Sequence, residues 1–79
     1  MKEIYKDKYL KLGLKISYYR KLRNMTQEKL AEAIGKDTSF LGQVEAPNIC
    51  RAISLDTLFD IADILKVSPY KFLDFEDDN

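Results

Sequence analysis

The segment from residue 26 to residue 45, TQEKLAEAIGKDTSFLGQVE, constrains the fold of this chain more than any other. It holds two short helical patterns separated by the break Gly35-Lys36-Asp37. Thr26 is a good N-cap for the first of these helices, and Gly35 is typical of a helix C-terminus because glycine tolerates a left-handed backbone. Asp37 can cap the next helix. The segment therefore predicts two short helices joined by a tight turn.

Apolar residues recur at helical spacing on both sides of this segment. They predict a first helix from about Lys6 to Arg23, a fourth helix capped by Ser54, and a short fifth helix that starts at Ser68-Pro69. Pro47 should end the third helix. The expected fold is all-α, a compact five-helix bundle. Its expected core contains Leu12, Ile16, Tyr19, Leu30, Ala31, Ile34, Leu41, Val44, Leu55, Leu58, Ile61, Ala62 and Leu65.

A length of 79 residues is that of one small domain. Because Gly13 weakens the early part of the first helix, we expect residues 1–11 to be an N-terminal arm or an extension of that helix. Residues 12–75 should form the domain, and residues 76–79 an acidic tail. The single cysteine, Cys50, excludes an intramolecular disulfide, and no apolar run is long enough for a membrane span. We therefore expect a cytoplasmic protein with no membrane contact.

The charge of the chain is zero overall but unevenly distributed. Residues 1–24 have a net charge of +6, residues 25–50 of −2 and residues 51–79 of −4. A phosphate backbone could contact the basic front of the chain. The acidic back would then face away from nucleic acid or contact another protein.

The paired helices at residues 26–45 have the layout of a helix-turn-helix, whose second helix lies in the major groove of DNA. Ala31 supports this interpretation because a small residue lets the two helices cross closely. An ordinary helical hairpin would show the same spacing, since any small helical domain needs such a turn. Spacing alone leaves both interpretations open.

Residues 12–73 also resemble the Cro/phage-repressor (XRE) family of helix-turn-helix regulators. The similarity lies in LGLKISYYRKLRNMTQEKLAEAIG, then SFLGQVE, then ISLDTLFDIADILKVSPYKFL, in order and at the spacing of that family. It implies a lambda-repressor-like five-helix fold, a homodimer, and binding to a near-palindromic operator in double-stranded DNA, most often as a repressor. We expect no cofactor.

Three polar residues of the predicted third helix, at about residues 37–46, occupy the outward positions that the family uses for base contacts. Glutamine can bond both edges of adenine, and serine or threonine can donate, accept or touch a thymine methyl group. Each of them alone could instead be solvated. The predicted base contacts are Thr38, Ser39 and Gln43.

Contacts to the DNA backbone are expected from Gln27, which begins the second helix, and from basic and loop residues around it. A solvated surface glutamine is the alternative. Two departures from the family pattern matter here: Lys36 stands where an apolar residue is usual, and Gly42 interrupts the third helix. Ala46-Pro47 replaces a polar residue and glycine, so Asn48 and Arg51 are considered as substitutes. The predicted backbone contacts are Gln27, Lys15, Lys21, Arg23, Lys36, Asn48 and Arg51.

Arg20 and Glu45 match a family pair that bridges the first and third helices, and two unrelated surface charges are the alternative. Such a contact would orient the reading helix more than stabilise it. The family dimerises around the fourth and fifth helices. The candidate interface residues there are Ile64, Val67, Tyr70, Phe72 and Phe75, with Tyr5 and Tyr9 as an alternative patch.

Other functions are less well supported by the residues. The chain has no histidine, its cysteine has no partner for catalysis, and it has no glycine-rich phosphate loop, so we expect neither an enzyme nor a metal site. The main alternative is a protein-interaction module, such as the antitoxin of a toxin-antitoxin pair. The acidic second half fits that alternative, and a protein partner could accompany DNA binding.

Overall fold

The computed structural model describes residues 1–76, and within them the chain is all-helical. A 3₁₀ turn at Glu3–Tyr5 precedes five α-helices. Residues 77–79 of the predicted acidic tail lie outside the described residues. The prediction of an all-α five-helix bundle is confirmed. The helices are α1 (Lys6–Leu22), α2 (Gln27–Ala33), α3 (Thr38–Glu45), α4 (Leu55–Leu65) and α5 (Pro69–Leu73).

The helix starts follow the capping residues of the sequence. The Thr26 hydroxyl accepts a hydrogen bond from the Lys29 N–H at 3.1 Å, and the Ser54 hydroxyl accepts one from the Thr57 N–H at 3.1 Å. Asp37 and Ser68 also occupy N-cap positions, but their side chains make no capping hydrogen bond. The helix boundaries were therefore predictable at these four sites, while the capping bonds form at only two of them.

Three turns within residues 1–76 contain a residue with left-handed backbone: Asn24, at φ 57°, between α1 and α2, and Gly35 and Lys66. Gly35, at φ 70°, lets the chain leave α2 and enter the turn before α3. Lys66, at φ 56°, ends α4 in the left-handed region, where lysine is an unusual occupant. The Lys66 and Val67 N–H groups then bond to α4 carbonyls, which closes the end of the helix. Nothing in the residue types around Lys66 indicated this conformation.

The core lies where α1, α2, α3 and α4 meet beneath α5. It contains Leu12, Ile16, Leu30, Ala31, Leu41, Val44, Leu58, Ile61, Ala62, Leu65, Val67 and Phe72. One predicted core residue is wrong: Leu55 is 61% exposed. Leu55 is the first residue of α4, where the neighbouring elements leave an open groove instead of covering it.

The N-terminal segment continues into α1 without a break. α1 begins at Lys6, so residues 6–11 extend the first helix, and the 3₁₀ turn adds one more turn before it. At 17 residues α1 is the longest helix. No helix within residues 1–76 is both long and apolar enough to cross a membrane.

Gly13 marks the closest approach of α1 to α3. A Cβ atom at this position would overlap the Val44 carbonyl oxygen and lie 3.0 Å from its carbonyl carbon. The obstacle is backbone, which a side-chain rotation cannot move. Gly13 thus does not loosen α1, as its helix propensity indicated, but lets the end of α3 pack directly on α1.

Gly13→Ala should therefore destabilise the protein, by about 1–3 kcal/mol, because the two backbones must move apart. Gly42→Ala is the matched control. A Cβ there would meet only the Gln27 Oε1 atom, at 3.9 Å, so alanine should stabilise the helix by up to about 1 kcal/mol. Urea denaturation of both variants measures the two effects. Equal stability of Gly13→Ala and the wild type would contradict this packing.

Candidate nucleic-acid interface

The outer face of α3 presents the three residues predicted to contact bases. Thr38, Ser39 and Gln43 are all exposed, whereas Leu41 and Val44 of the same helix are buried in the core. Ser39 and Gln43 are four residues apart and so lie on one side of the helix. The helix thus offers two hydroxyls and one amide to a ligand on its solvent side.

The Glu45 carboxylate fixes the orientation of α3. The Arg20 guanidinium donates to both of its oxygens, from Nε to Oε2 and from Nη2 to Oε1, each at 2.8 Å. Arg20 Nη1 also donates to the Met25 carbonyl oxygen at 2.6 Å. Arg20 and Glu45 are both buried. The predicted pair is therefore present as a planar, two-point contact, which restricts rotation more than a single ion pair does.

Gln27 joins the same carboxylate from α2. Its Nε2 atom donates to Glu45 Oε1 at 3.0 Å. The last residue of α3 is thus bonded to α1 and to the first residue of α2. Sequence reasoning assigned Gln27 only to DNA and missed this second role. Its half-buried amide is held beside α3, and its Oε1 atom is not used in the bond to Glu45.

Two cationic side chains lie beside the aromatic ring of Phe40 on α3. The Lys36 ammonium lies 5.5 Å from the centre of the Phe40 ring, and the Arg51 guanidinium carbon lies 5.2 Å from it. Lys36 precedes α3 and Arg51 follows it, and both are exposed. Two of the predicted backbone contacts are therefore brought to the same place. Phe40 was not singled out from the sequence, because an aromatic residue at helical spacing is usually part of a core.

Arg23 donates hydrogen bonds at the C-terminus of α4, a role that the sequence did not indicate. Its Nε donates to the Leu65 carbonyl oxygen at 2.7 Å, and its Nη2 donates to the Lys66 carbonyl oxygen at 3.3 Å. A cation at the C-terminus of α4 satisfies carbonyls that lack partners within the helix. The predicted contact of Arg23 with the DNA backbone stays a prediction beside this observed role.

Lys15 lies on the side of α1 that faces away from α3. It is two residues from Gly13, or about 200° around the helix, so it projects from the side of α1 opposite the crossing with α3. There it lines a groove together with Leu14 and Tyr18. Its predicted DNA contact stays a prediction. Lys21 and Asn48 are exposed, so both side chains are accessible for the predicted contacts with a DNA backbone.

Two residues predicted for a dimer interface belong to the core instead. Phe72 is 0% exposed and packs edge-on against Tyr19, with ring centres 5.2 Å apart. Val67 is only 9% exposed. Both predictions are wrong, because Phe72, on α5, and Val67, just before α5, face the core and not solvent. Ile64 and Tyr70 are exposed, and Phe75 is half-buried.

One groove brings the alternative patch, Tyr5 and Tyr9, together with Phe75 of the other predicted interface. A groove of about 340 Å³ is lined by Tyr5 and Tyr9 from the N-terminal segment and by Leu55, Leu73 and Phe75 from the fourth helix onward. These residues are far apart in sequence, so their contact could not be inferred without the fold. Leu55 and Leu73 are exposed apolar residues of this groove and were not among the predicted interface residues.

Comparisons with known proteins agree with this geometry. The family model described as Helix-turn-helix matches residues 16–72. The chain is 41% identical over 56 residues to the uncharacterized HTH-type transcriptional regulator YazB of Bacillus subtilis (strain 168), covering 71% of this chain and 78% of that protein. The crystal structure of the restriction-modification controller protein C.AhdI from Aeromonas hydrophila is similar at a TM-score of 0.78 and 28% identity, covering 86% of this chain and 96% of that chain.

The match of the family model to most of the domain shows that this chain belongs to the helix-turn-helix family, in its XRE-type branch. The resemblance read from the sequence is thereby confirmed. The fold and the family are those of DNA-binding transcriptional regulators.

Replacing Arg20 tests the role of the Glu45 carboxylate. Arg20→Ala should leave a helical protein with weaker DNA binding, and it should lose about 3 kcal/mol of stability because Glu45 stays buried without its partner. Circular dichroism measures the helix content, urea denaturation the free energy of unfolding, and titration with DNA the affinity.

The matched control removes both charges. Arg20→Met with Glu45→Met should retain stability to within about 1 kcal/mol, because buried ion pairs recover little net free energy. It should still bind DNA more weakly, since Gln27 loses its acceptor and the end of α3 loses its hydrogen bonds to α1 and α2. Wild-type affinity in this double variant would show that the network does not orient the site.

Proposed function

We propose that this protein binds double-stranded DNA sequence-specifically, as a small homodimeric transcriptional regulator that occupies an operator as a repressor does. The observation that carries the proposal is the exposure of Thr38, Ser39 and Gln43 on a helix whose end is held by Arg20 and Gln27. Each of the relatives described above is named as a regulator or controller protein, which supports the regulatory role.

The chemistry of α3 suits the major groove. An α-helix fits that groove, and each base pair presents a distinct pattern of donors and acceptors there. The Gln43 amide can donate and accept at once, which matches the edge of adenine. Ser39, one turn before it, can accept, donate or touch a thymine methyl group, so this face is better suited to A·T-containing steps than to guanine.

Phosphate contacts must come from the surroundings of α3, because its exposed positions carry no basic residue. Lys21, Lys36 and Arg51 are the exposed cations on which this proposal relies for such contacts. Few cations mean few released counterions and a modest affinity per subunit. A dimer would double them and place two reading helices about one DNA turn apart, on a near-palindromic site.

The surface around the groove between α4, α5 and the N-terminal segment is the proposed dimer interface. Its exposed apolar residues include Tyr5, Leu55 and Leu73, which line the groove. Apolar side chains that are contiguous across three elements favour association with a second, identical surface. Phe75 lines the same groove, so it would become buried in the dimer.

Selection of bound sequences from a pool of random duplexes tests DNA recognition and reveals the operator sequence at the same time. We expect a near-palindromic consensus, and Gln43→Ala should lower affinity for it by about 1–3 kcal/mol and relax preference at one position in each half-site. Lys21→Gln is the control, because loss of a phosphate contact weakens binding to all sequences alike. A wild-type protein that binds no duplex would contradict the proposal and favour a protein-interaction module.

Leu73→Glu tests the dimer interface, because a carboxylate would be buried there without a partner. Leu73 is 47% exposed in the single chain, so the substitution should not disturb folding. The variant should elute and scatter light as a monomer. Leu22→Glu, at a leucine that is 56% exposed on α1, is the control and should remain dimeric. A dimeric Leu73→Glu variant would place the interface elsewhere.

A further inference from the structure

The predicted base and phosphate contacts do not account for one residue of the site, the aromatic Phe40. It lies in the first turn of α3, and its half-buried ring packs against the core. The core therefore holds one part of the ring in place. The remaining part faces Lys36 and Arg51, whose cationic groups lie 5.5 Å and 5.2 Å from its centre.

These two cations have an unusual setting. They come from separate segments, the turn before α3 and the loop after it, yet they share one aromatic partner. Within residues 1–76, the structure pairs neither of them with a carboxylate. Two positive charges gathered at one surface repel each other, and an anion bound between or across them would relieve that repulsion.

Attraction between a cation and the face of an aromatic ring offsets part of the repulsion and restricts long side chains that would otherwise move through many rotamers. Side chains ordered before binding lose less conformational entropy when a ligand arrives. An aromatic residue can in this way raise affinity for a phosphate that it never touches.

We propose that Phe40 is a positioning residue that holds Lys36 and Arg51 as one two-cation clamp for the DNA sugar-phosphate backbone beside α3. The inference rests on the proposed DNA binding and adds to it a residue that contacts no DNA itself. The clamp brings a cation from the turn before α3 and one from the loop after it to the first turn of α3, beside one ring.

The test is a double-mutant cycle measured on a labelled duplex of random sequence, since backbone contacts do not depend on sequence. Phe40→Leu should weaken binding by roughly fivefold, the size of an exposed cation–π contact. In the background Lys36→Gln with Arg51→Gln, the same substitution should change the affinity little. That background alone should make the plot of log affinity against log salt shallower by roughly two units.

Three controls separate positioning from structure. Phe40→Tyr keeps the ring and should bind as the wild type does. Circular dichroism and thermal denaturation should show that Phe40→Leu is folded, and Phe40→Met, which fills the same space with a flexible side chain, replaces it if it is not. A merely structural role would weaken binding equally in both backgrounds.

Equal weakening in both backgrounds, or no weakening by Phe40→Leu, would overturn the clamp while leaving DNA binding intact. An unchanged salt dependence when both cations are removed would overturn it as well. If the wild-type protein bound no duplex of any sequence, the proposed function itself would fail, and that result is distinct from the other two.

Discussion

The hydrogen bonds accepted by the Glu45 carboxylate are the interaction on which the rest of the site depends. α3 is a helix of eight residues, too short to hold its own orientation. Its last residue accepts two hydrogen bonds from Arg20 and one from Gln27, so α1, α2 and α3 are joined at a single buried point. Burial of such a pair contributes little net stability, whereas its planar geometry restricts how the helix can rotate. The direct packing of Val44 on Gly13 then fixes how far α3 stands from α1.

The polar face of α3 and the apolar groove beside α4 and α5 are separate surfaces of the molecule. α3 shows hydroxyl and amide groups to solvent, with cations at the turn before it and the loop after it. The basic residues of the first 24 are spread over several surfaces, because Arg23 donates to carbonyls at the C-terminus of α4 and Lys15 lies on the side of α1 opposite α3. The positive charge of the first 24 residues is therefore an imperfect guide to where phosphate would bind. The apolar groove beside α4 and α5 is a different surface, so the proposed association of two copies there would leave α3 uncovered.

Much of the fold was predictable from local signals. Thr26, Gly35, Ser54 and Pro69 set helix ends, and the helical spacing of apolar residues gave most of the core. The pairing of Arg20 with Glu45 was accessible only through resemblance to a family, because 25 residues separate the two in sequence. Phe72, Val67 and Leu55 were misjudged, since helical spacing shows which residues share a face but not how far a neighbouring element covers it. Phe40 and Gly13 were missed for the same reason: their roles exist only where distant segments approach each other.

Backbone amide chemical shifts of isotope-labelled protein, titrated with a duplex obtained by selection, test the central claim most directly. We expect the largest changes at Thr38, Ser39 and Gln43, with smaller ones at Gln27, Lys36 and Arg51. Leu14 and Tyr18, on the far side of α1, should not change. Changes centred on that far side of α1, with α3 unaffected, would contradict the assignment of α3 as the helix that reads DNA.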